Sequence, residues 1–127
     1  MNDGRRILLV EDEALIAMDL EWRLRRAGYG RCRIVPTAEE AVTWFEMERH
    51  GLVIMDNHLA GDADGIEAAL RIRAQSDVPI IIVSGYTRDE AFLARVRPLG
   101  PAACLDKPIV FDDLLAGLRA IAGLAAN

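Results

Sequence analysis

Four places in the sequence carry residue types able to do acid, metal or phosphoryl chemistry, and each follows a short apolar run. Glu11-Asp12-Glu13 follows residues 7–10, Asp56 follows 52–55, Ser84-Gly85 follows 78–83, and Asp106-Lys107-Pro108 follows 102–105. Crowded carboxylates repel and raise one another's pKa unless a cation neutralises them. Hard oxygen donors with room for water suit Mg2+. An acidic pair, a further Asp, a hydroxyl and a Lys together describe a magnesium-assisted phosphoryl site with a carboxylate nucleophile. Taken singly, Asp56 reads as a turn residue or helix cap, Glu11 and Asp12 as complements to a helix dipole, and Lys107-Pro108 as a turn. Their coincidence after four runs is what makes them a site.

The runs themselves say how such residues would meet. Ile-, Val- and Leu-rich stretches at 7–10, 52–55 and 78–83, with weaker ones at 32–35 and 102–105, suit a parallel sheet covered on both faces. Between them the pattern predicts helices over 13–27, 37–49, 65–75, 87–97 and 111–124. Thr37 with Glu40 three residues on is a capping-box signature, and Gly28, Gly51 and Gly100 end helices or turn the chain after them. Strict alternation predicts an α/β fold, a doubly wound (βα)5 sandwich with a parallel five-stranded sheet; periodicity does not set the strand order, and the flavodoxin-like order 2-1-3-4-5, the common choice for five units, is the expected one. Ligands of such sheets bind outside the carboxyl ends of the strands. There Glu11, Asp12 and Asp56 converge on adjacent strands. In the same order Cys32 and Cys104 lie on opposite edges, roughly 19 Å apart, too far for a disulfide, which needs Cα atoms within about 7 Å. With no Cys-x-x-Cys and two histidines, a zinc site is excluded as well.

Composition bounds the rest. The 127 residues make one domain, 52% hydrophobic and 28% charged, the balance of a soluble globular chain. Fifteen basic against twenty acidic residues give a net charge of −5, which argues against a nucleic-acid ligand. Arg23, Arg25, Arg26, Arg31 and Arg33 read as solvated surface. No apolar run approaches the ~20 residues of a membrane span and the N-terminus lacks a signal-peptide pattern, so a cytoplasmic protein is expected.

The segments Ile7-Leu8-Leu9-Val10-Glu11-Asp12-Glu13, Val53-Ile54-Met55-Asp56, Ile82-Val83-Ser84-Gly85 and Leu105-Asp106-Lys107-Pro108 resemble a response-regulator receiver domain, over essentially the whole chain. The resemblance implies that Asp56 is the phosphoacceptor. It implies that Asp12, Asp56 and the backbone carbonyl of His58 ligate Mg2+, with Glu11 acting mostly through water. Ser84 and Lys107 would contact phosphoryl oxygens, and the Lys107-Pro108 peptide would be cis. The partners implied are a histidine kinase or histidine phosphotransfer protein and a downstream protein. The chain would be a phosphoacceptor with self-catalysed transfer and dephosphorylation, not an enzyme turning over outside substrates. A flavodoxin would instead carry a hydroxyl- and glycine-rich loop after the first strand. A haloacid-dehalogenase phosphatase would carry a second acid where His58 stands. The remaining alternative is a phosphorylation-independent interaction module.

Three departures shape the expectations. Most receivers have Phe or Tyr three residues before the active-site Lys, where this chain has Cys104. The stretch Pro79 to Tyr86 and the long loop from Asp56 to Ala69 are similar to the receiver subgroup called FATGUY, although Ala60 replaces a frequent Pro and Ile82-Val83 departs from the Phe-Ala of its name. Tyr86 is then the candidate reporter of phosphorylation. In the first helix, Ile16, Leu20, Leu24 and Ala27 form the expected core stripe. Leu15, Met18 and Trp22 form a second stripe where charge is expected, the face on which receivers meet their phosphodonor. The last helix is apolar on more than one side through Leu114, Leu115, Leu118, Ile121 and Leu124, leaving a face available to a homodimer or output partner. With Asn127 following closely, residues 1–127 read as a single receiver without an output domain, so signalling would run through binding.

Overall fold

The computed structural model describes residues 6–59, 61 and 63–121. Five strands alternate with helices: β1 (Ile7–Val10), α1 (Ala14–Arg26), β2 (Cys32–Val35), α2 (Ala38–Met47), β3 (Leu52–Asp56), α3 (Gly65–Arg73), β4 (Ile80–Ser84), α4 (Glu90–Val96), a 3-10 turn (Arg97–Leu99), β5 (Ala103–Asp106) and α5 (Phe111–Arg119). All neighbours pair in parallel in the order β2-β1-β3-β4-β5, as expected. The cysteines are free on the two edge strands.

Alternate strand residues feed two cores, because successive side chains point to opposite faces. Ile7, Leu9, Leu52, Ile54, Ile81 and Val83 pack against Ala17, Leu20 and Leu24 of α1 and Leu114 and Leu118 of α5. Leu8, Val10, Val53, Met55, Ile80 and Ile82 face α2, α3 and α4. Burial on both faces explains why the strands read as continuous apolar runs. Among the described residues no helix is long and apolar enough to cross a membrane.

Helix starts follow local capping. Thr37 accepts the Glu40 N–H at 3.1 Å, and Asp64 with Glu67 forms a full capping box before α3 that the sequence reading passed over. The helix expected from residue 87 begins at Glu90 instead, because the Asp89 carboxylate accepts the Ala91 and Phe92 N–H groups and sets the cap there. Arg73 closes α3 earlier than expected by donating to the carbonyls of Ser76, Val78 and Leu99. Glu48, in extended backbone, leaves α2 to meet Arg6, Arg33 and His50 at the far end of the sheet from the acidic residues. The expected end of the last helix at Leu124 lies outside the described residues, as do Ala60 and Asp62 of the loop after β3.

The core stripe of α1 corrects one expectation. Ile16 is 42% exposed, and Ala17, Leu20 and Leu24 are the buried line. That line is centred toward Ala17, so Ile16 falls outside it and joins the open face with Leu15, Met18 and Trp22.

One glycine ties the fold to the strand ends. Gly65 opens α3 with its N–H on the Asn57 carbonyl at 3.0 Å, and a Cβ there would overlap the Asp56 carbonyl and come 3.0 Å from Met55 Cγ. Both obstacles are held in a buried strand. Gly65→Ala should therefore destabilise the chain by about 1–3 kcal/mol, measured by urea unfolding, whereas Gly100→Ala, where a Cβ meets open space, should cost only what its positive φ imposes.

Candidate functional site

The register brings the chemistry-bearing residues to one edge. Val10 pairs with Met55, Asp56 with Val83 and Ser84 with Asp106. Glu11 and Asp12 thus leave β1 beside the end of β3, and carboxylate oxygens of Glu11, Asp12 and Asp56 lie within 4.8 Å of one another. Asp56 and Ser84 are almost wholly buried, and Glu11 nearly so; Asp12 is open to solvent.

Lys107 supplies the cation. Its Nζ lies 2.6 Å from Asp56 Oδ1, which also accepts the His58 N–H at 2.9 Å. Asp56 Oδ2 is buried without a hydrogen-bond partner. A buried acceptor left unpaired is costly, and three carboxylates facing one ammonium leave excess negative charge. A small divalent cation held by oxygens answers both, so these residues fit the Mg2+ site expected from the sequence. Glu11 registers the strain. Burial first, then the neighbouring charge of Asp56 and a hydrogen bond with Asp12, push its carboxyl from 4.5 up to about 7, against the lowering by the Glu13 N–H and Lys107.

The other expected residues lie as follows. Ser84 Oγ sits at the end of β4 and accepts the Tyr86 N–H at 3.0 Å. His58 is exposed, and its N–H donates to Asp56 Oδ1. The Lys107-Pro108 peptide is cis. Cys104 is half-buried against the core on the α2, α3 and α4 side, its thiol pushed up by burial. Leu15, Met18 and Trp22 are 82%, 59% and 59% exposed, although the Arg26 guanidinium lies 4.9 Å from the Trp22 ring. Beside them a groove of about 510 Å³ runs between α1 and the segment after β5, lined by Leu15, Ile16, Lys107, Pro108 and Ile109 among others. Two pairs near the site escaped the sequence reading: Thr87 Oγ1 donates to Asp106 Oδ1, and Arg95 of α4 meets the Asp64 cap of α3 at 2.8 Å. Both join residues far apart in the chain, with no local signal to mark them.

The model of the response regulator receiver domain family matches residues 7–119. The transcriptional regulatory protein PdtaR of Mycobacterium tuberculosis is 37% identical over 115 residues, covering 91% of this chain and 55% of that protein. The phyllosphere-induced regulator PhyR of Methylorubrum extorquens is 38% identical over 103 residues, covering 80% of this chain and 38% of that protein. The chain thus spans about half the length, or less, of these curated relatives. Among solved structures, a response regulator receiver protein from Pseudomonas putida superposes with a TM-score of 0.83 at 28% identity, covering 95% of this chain and all of that one. A CheY-like receiver domain protein from Methanospirillum hungatei gives 0.82 at 28%, covering 91% and 90%.

The raised Glu11 pKa has a consequence for pH. The folded chain holds this proton more tightly than the unfolded one, so the penalty is present in full above pH 7 and is relieved as pH falls from about 7 toward 4.5. Cation-free protein should therefore gain this component of stability on mild acidification. Mg2+ held by these acids would compete with the same proton. Its stabilisation, about 2.7 kcal/mol at a hundredfold excess over Kd, should shrink between pH 8 and pH 6. Thermal unfolding with and without Mg2+ measures this; Glu11→Gln should flatten the pH dependence, and Asp12→Asn should weaken the Mg2+ effect throughout.

Proposed function

The chain belongs to the response regulator receiver domain family, and on that premise we propose that Asp56 accepts a phosphoryl group from a phosphohistidine donor. The observation that carries the reading is the buried Asp56 carboxylate, paired to Lys107 at 2.6 Å inside a cluster of three acids. An Asp56 oxygen attacks phosphorus in line; the new O–P bond forms as the P–N bond of the phosphoimidazole breaks, and the imidazole leaves with the electron pair. Bound Mg2+, held by Asp12, Asp56 and the His58 carbonyl with Glu11 acting through water, supplies charge neutralisation for the phosphoryl oxygens. Lys107 follows the charge from the carboxylate to a phosphoryl oxygen, a motion open to a long flexible ammonium. Ser84 donates its hydroxyl to a second oxygen, and the exposed backbone at Gly85 adds an N–H. The product is a mixed anhydride that water later hydrolyses, so its lifetime sets the duration of the signal. The chain is a phosphoacceptor in this reading, with no turnover on outside substrates.

Signalling then runs through protein contacts. The phosphodonor, a histidine kinase or phosphotransfer protein, docks on the exposed Leu15, Met18 and Trp22, of which Leu15 lines the groove beside Lys107. Clustered exposed apolar side chains next to a reactive site are a common mark of a partner surface. With Cys104 too small for the aromatic role, Tyr86, 62% exposed, reports phosphorylation to a downstream protein, in keeping with the FATGUY subgroup. The half-buried Leu115 of α5 and Ile121 just beyond its end are available to a second copy or an output partner. The free cysteines agree with the reducing cytoplasm, where we place the protein.

Asp56→Asn should take up no acid-stable, base-labile phosphoryl label from a phosphodonor with Mg2+, and label persisting on that variant would refute the assignment. A wild-type chain that stays unlabelled would be the phosphorylation-independent interaction module instead. Trp22→Glu should slow transfer from the cognate kinase by about tenfold or more while leaving labelling by a small-molecule phosphodonor near wild type; equal slowing with both donors would remove Trp22 from the docking surface.

A further inference from the structure

β4 lies between β3, which carries Asp56, and β5, which carries Asp106. The segment between β4 and α4 is tied to the β5 side by the hydrogen bond from Thr87 Oγ1 to Asp106 Oδ1. A phosphoryl group on Asp56 would pull the same segment the other way, because Ser84 and the Gly85 N–H must approach the β3 side to reach it. The two demands compete. The segment has room to answer them: Gly85, Tyr86, Arg88 and Asp89 are exposed, and nothing lies within 4 Å of a Cβ built on Gly85. A cavity of about 420 Å³ beside it is lined by Gly85, Tyr86, Thr87, Asp106 and Lys107 among others, so both partners of the Thr87–Asp106 bond face it.

A short path leads from the site to this bond. Ser84 Oγ, the group that would turn to the phosphoryl oxygen, holds the Tyr86 N–H at 3.0 Å. Turning it disturbs the residue next to Thr87. The helix beyond offers little resistance, since α4 is seven residues long and buries only Phe92 and Val96. At its other end Arg95 pairs with Asp64, the cap of α3, so that end stays tied to the β3 side. One side of this element is anchored toward the phosphoacceptor, and the other is tied away from it.

We propose that Thr87 and Asp106 form a latch that holds the β4–α4 segment in the unphosphorylated arrangement, and that a phosphoryl group on Asp56 acts by breaking it. This rests on the phosphoacceptor reading above. Neither residue belongs to the acidic cluster or contacts Asp56 in the structure. The latch supplies a mechanical link in a chain that has Cys104 where a moving aromatic would stand.

The test compares Thr87→Val, which keeps the shape and loses the hydroxyl, with Thr87→Ser, which keeps the hydroxyl, and with Asp106→Ala. In the unphosphorylated protein, backbone amide exchange over residues 85–89 should quicken in Thr87→Val and Asp106→Ala and stay near wild type in Thr87→Ser. With Mg2+, a beryllofluoride phosphoryl mimic should bind about fivefold tighter to the two latch-less variants, because the mimic no longer has to break the bond. Faster exchange with unchanged or weaker mimic binding would show a tether that does not oppose phosphorylation, and would overturn the latch. Unchanged exchange and unchanged binding would overturn it too. A wild-type protein that takes up neither mimic nor phosphoryl group would instead sink the phosphoacceptor reading, and the latch with it. A wild type that binds the mimic while all variants match it sinks the latch alone.

Discussion

The contact between Lys107 and Asp56 constrains everything around it. Asp56 is buried next to two further carboxylates, whose like charges repel one another. The ammonium at 2.6 Å is the counter-charge placed against this buried acid at the end of β3. To provide it, a side chain from beyond β5 has to pass over the end of β4, two strand spacings or roughly 10 Å away. Only a long side chain covers that span, and what lies beneath it must be small. Ser84 and Gly85 are what β4 places there.

The same contact explains why the carboxylates are incompletely satisfied. Among the described residues, Lys107 and the His58 N–H both engage Oδ1 and leave Oδ2 buried and unpaired, while burial above all pushes the Glu11 carboxyl up to about 7. A site built only for stability would have removed one acid or added a second base. Retaining three acids against one ammonium leaves an excess of negative charge at the strand ends that a small divalent cation fits. The rest of the molecule is stiff enough to hold this geometry. Both sheet faces are filled with aliphatic side chains, and Gly65 lets α3 start against the Asp56 carbonyl itself. Beyond Ser84, the short helix α4 rests on two buried side chains, Phe92 and Val96.

Much of this was legible before any coordinates. The three central apolar runs were visible because strands buried on both faces have no polar positions to interrupt them, and their strict alternation with helices gave the layers, while the sheet order was the common choice for five such units. Glu11, Asp12, Asp56, Ser84 and Lys107 stood out because each directly follows a run, and one end of a parallel sheet gathers such residues whatever their separation in the chain. Periodicity served less well within α1. It placed Ile16 on the core stripe, while the small Ala17 takes that place, since an alanine gives no strong hydrophobic signal and the exact rotation of a helix is set by what it packs on. Helix limits also moved where a side chain reached out of sequence, as with Asp89 at the start of α4 and Arg73 at the end of α3.

The sequence by itself determined the layers and the identity of the residues at the strand ends, because residue type and hydrophobic period are local properties of the chain; the strand order, a non-local property, was expected only as the common choice for five units and is fixed by the pairing of the strands. Tertiary structure decided which oxygen of Asp56 meets Lys107, which is left unpaired, and how far the Glu11 carboxyl is displaced. Those depend on burial and on distances of a few ångströms between strands. It also decided that Thr87 meets Asp106 across 19 positions and Arg95 meets Asp64 across 31. Such pairs exist only once register and helix rotation are set, and no pattern along the chain encodes them.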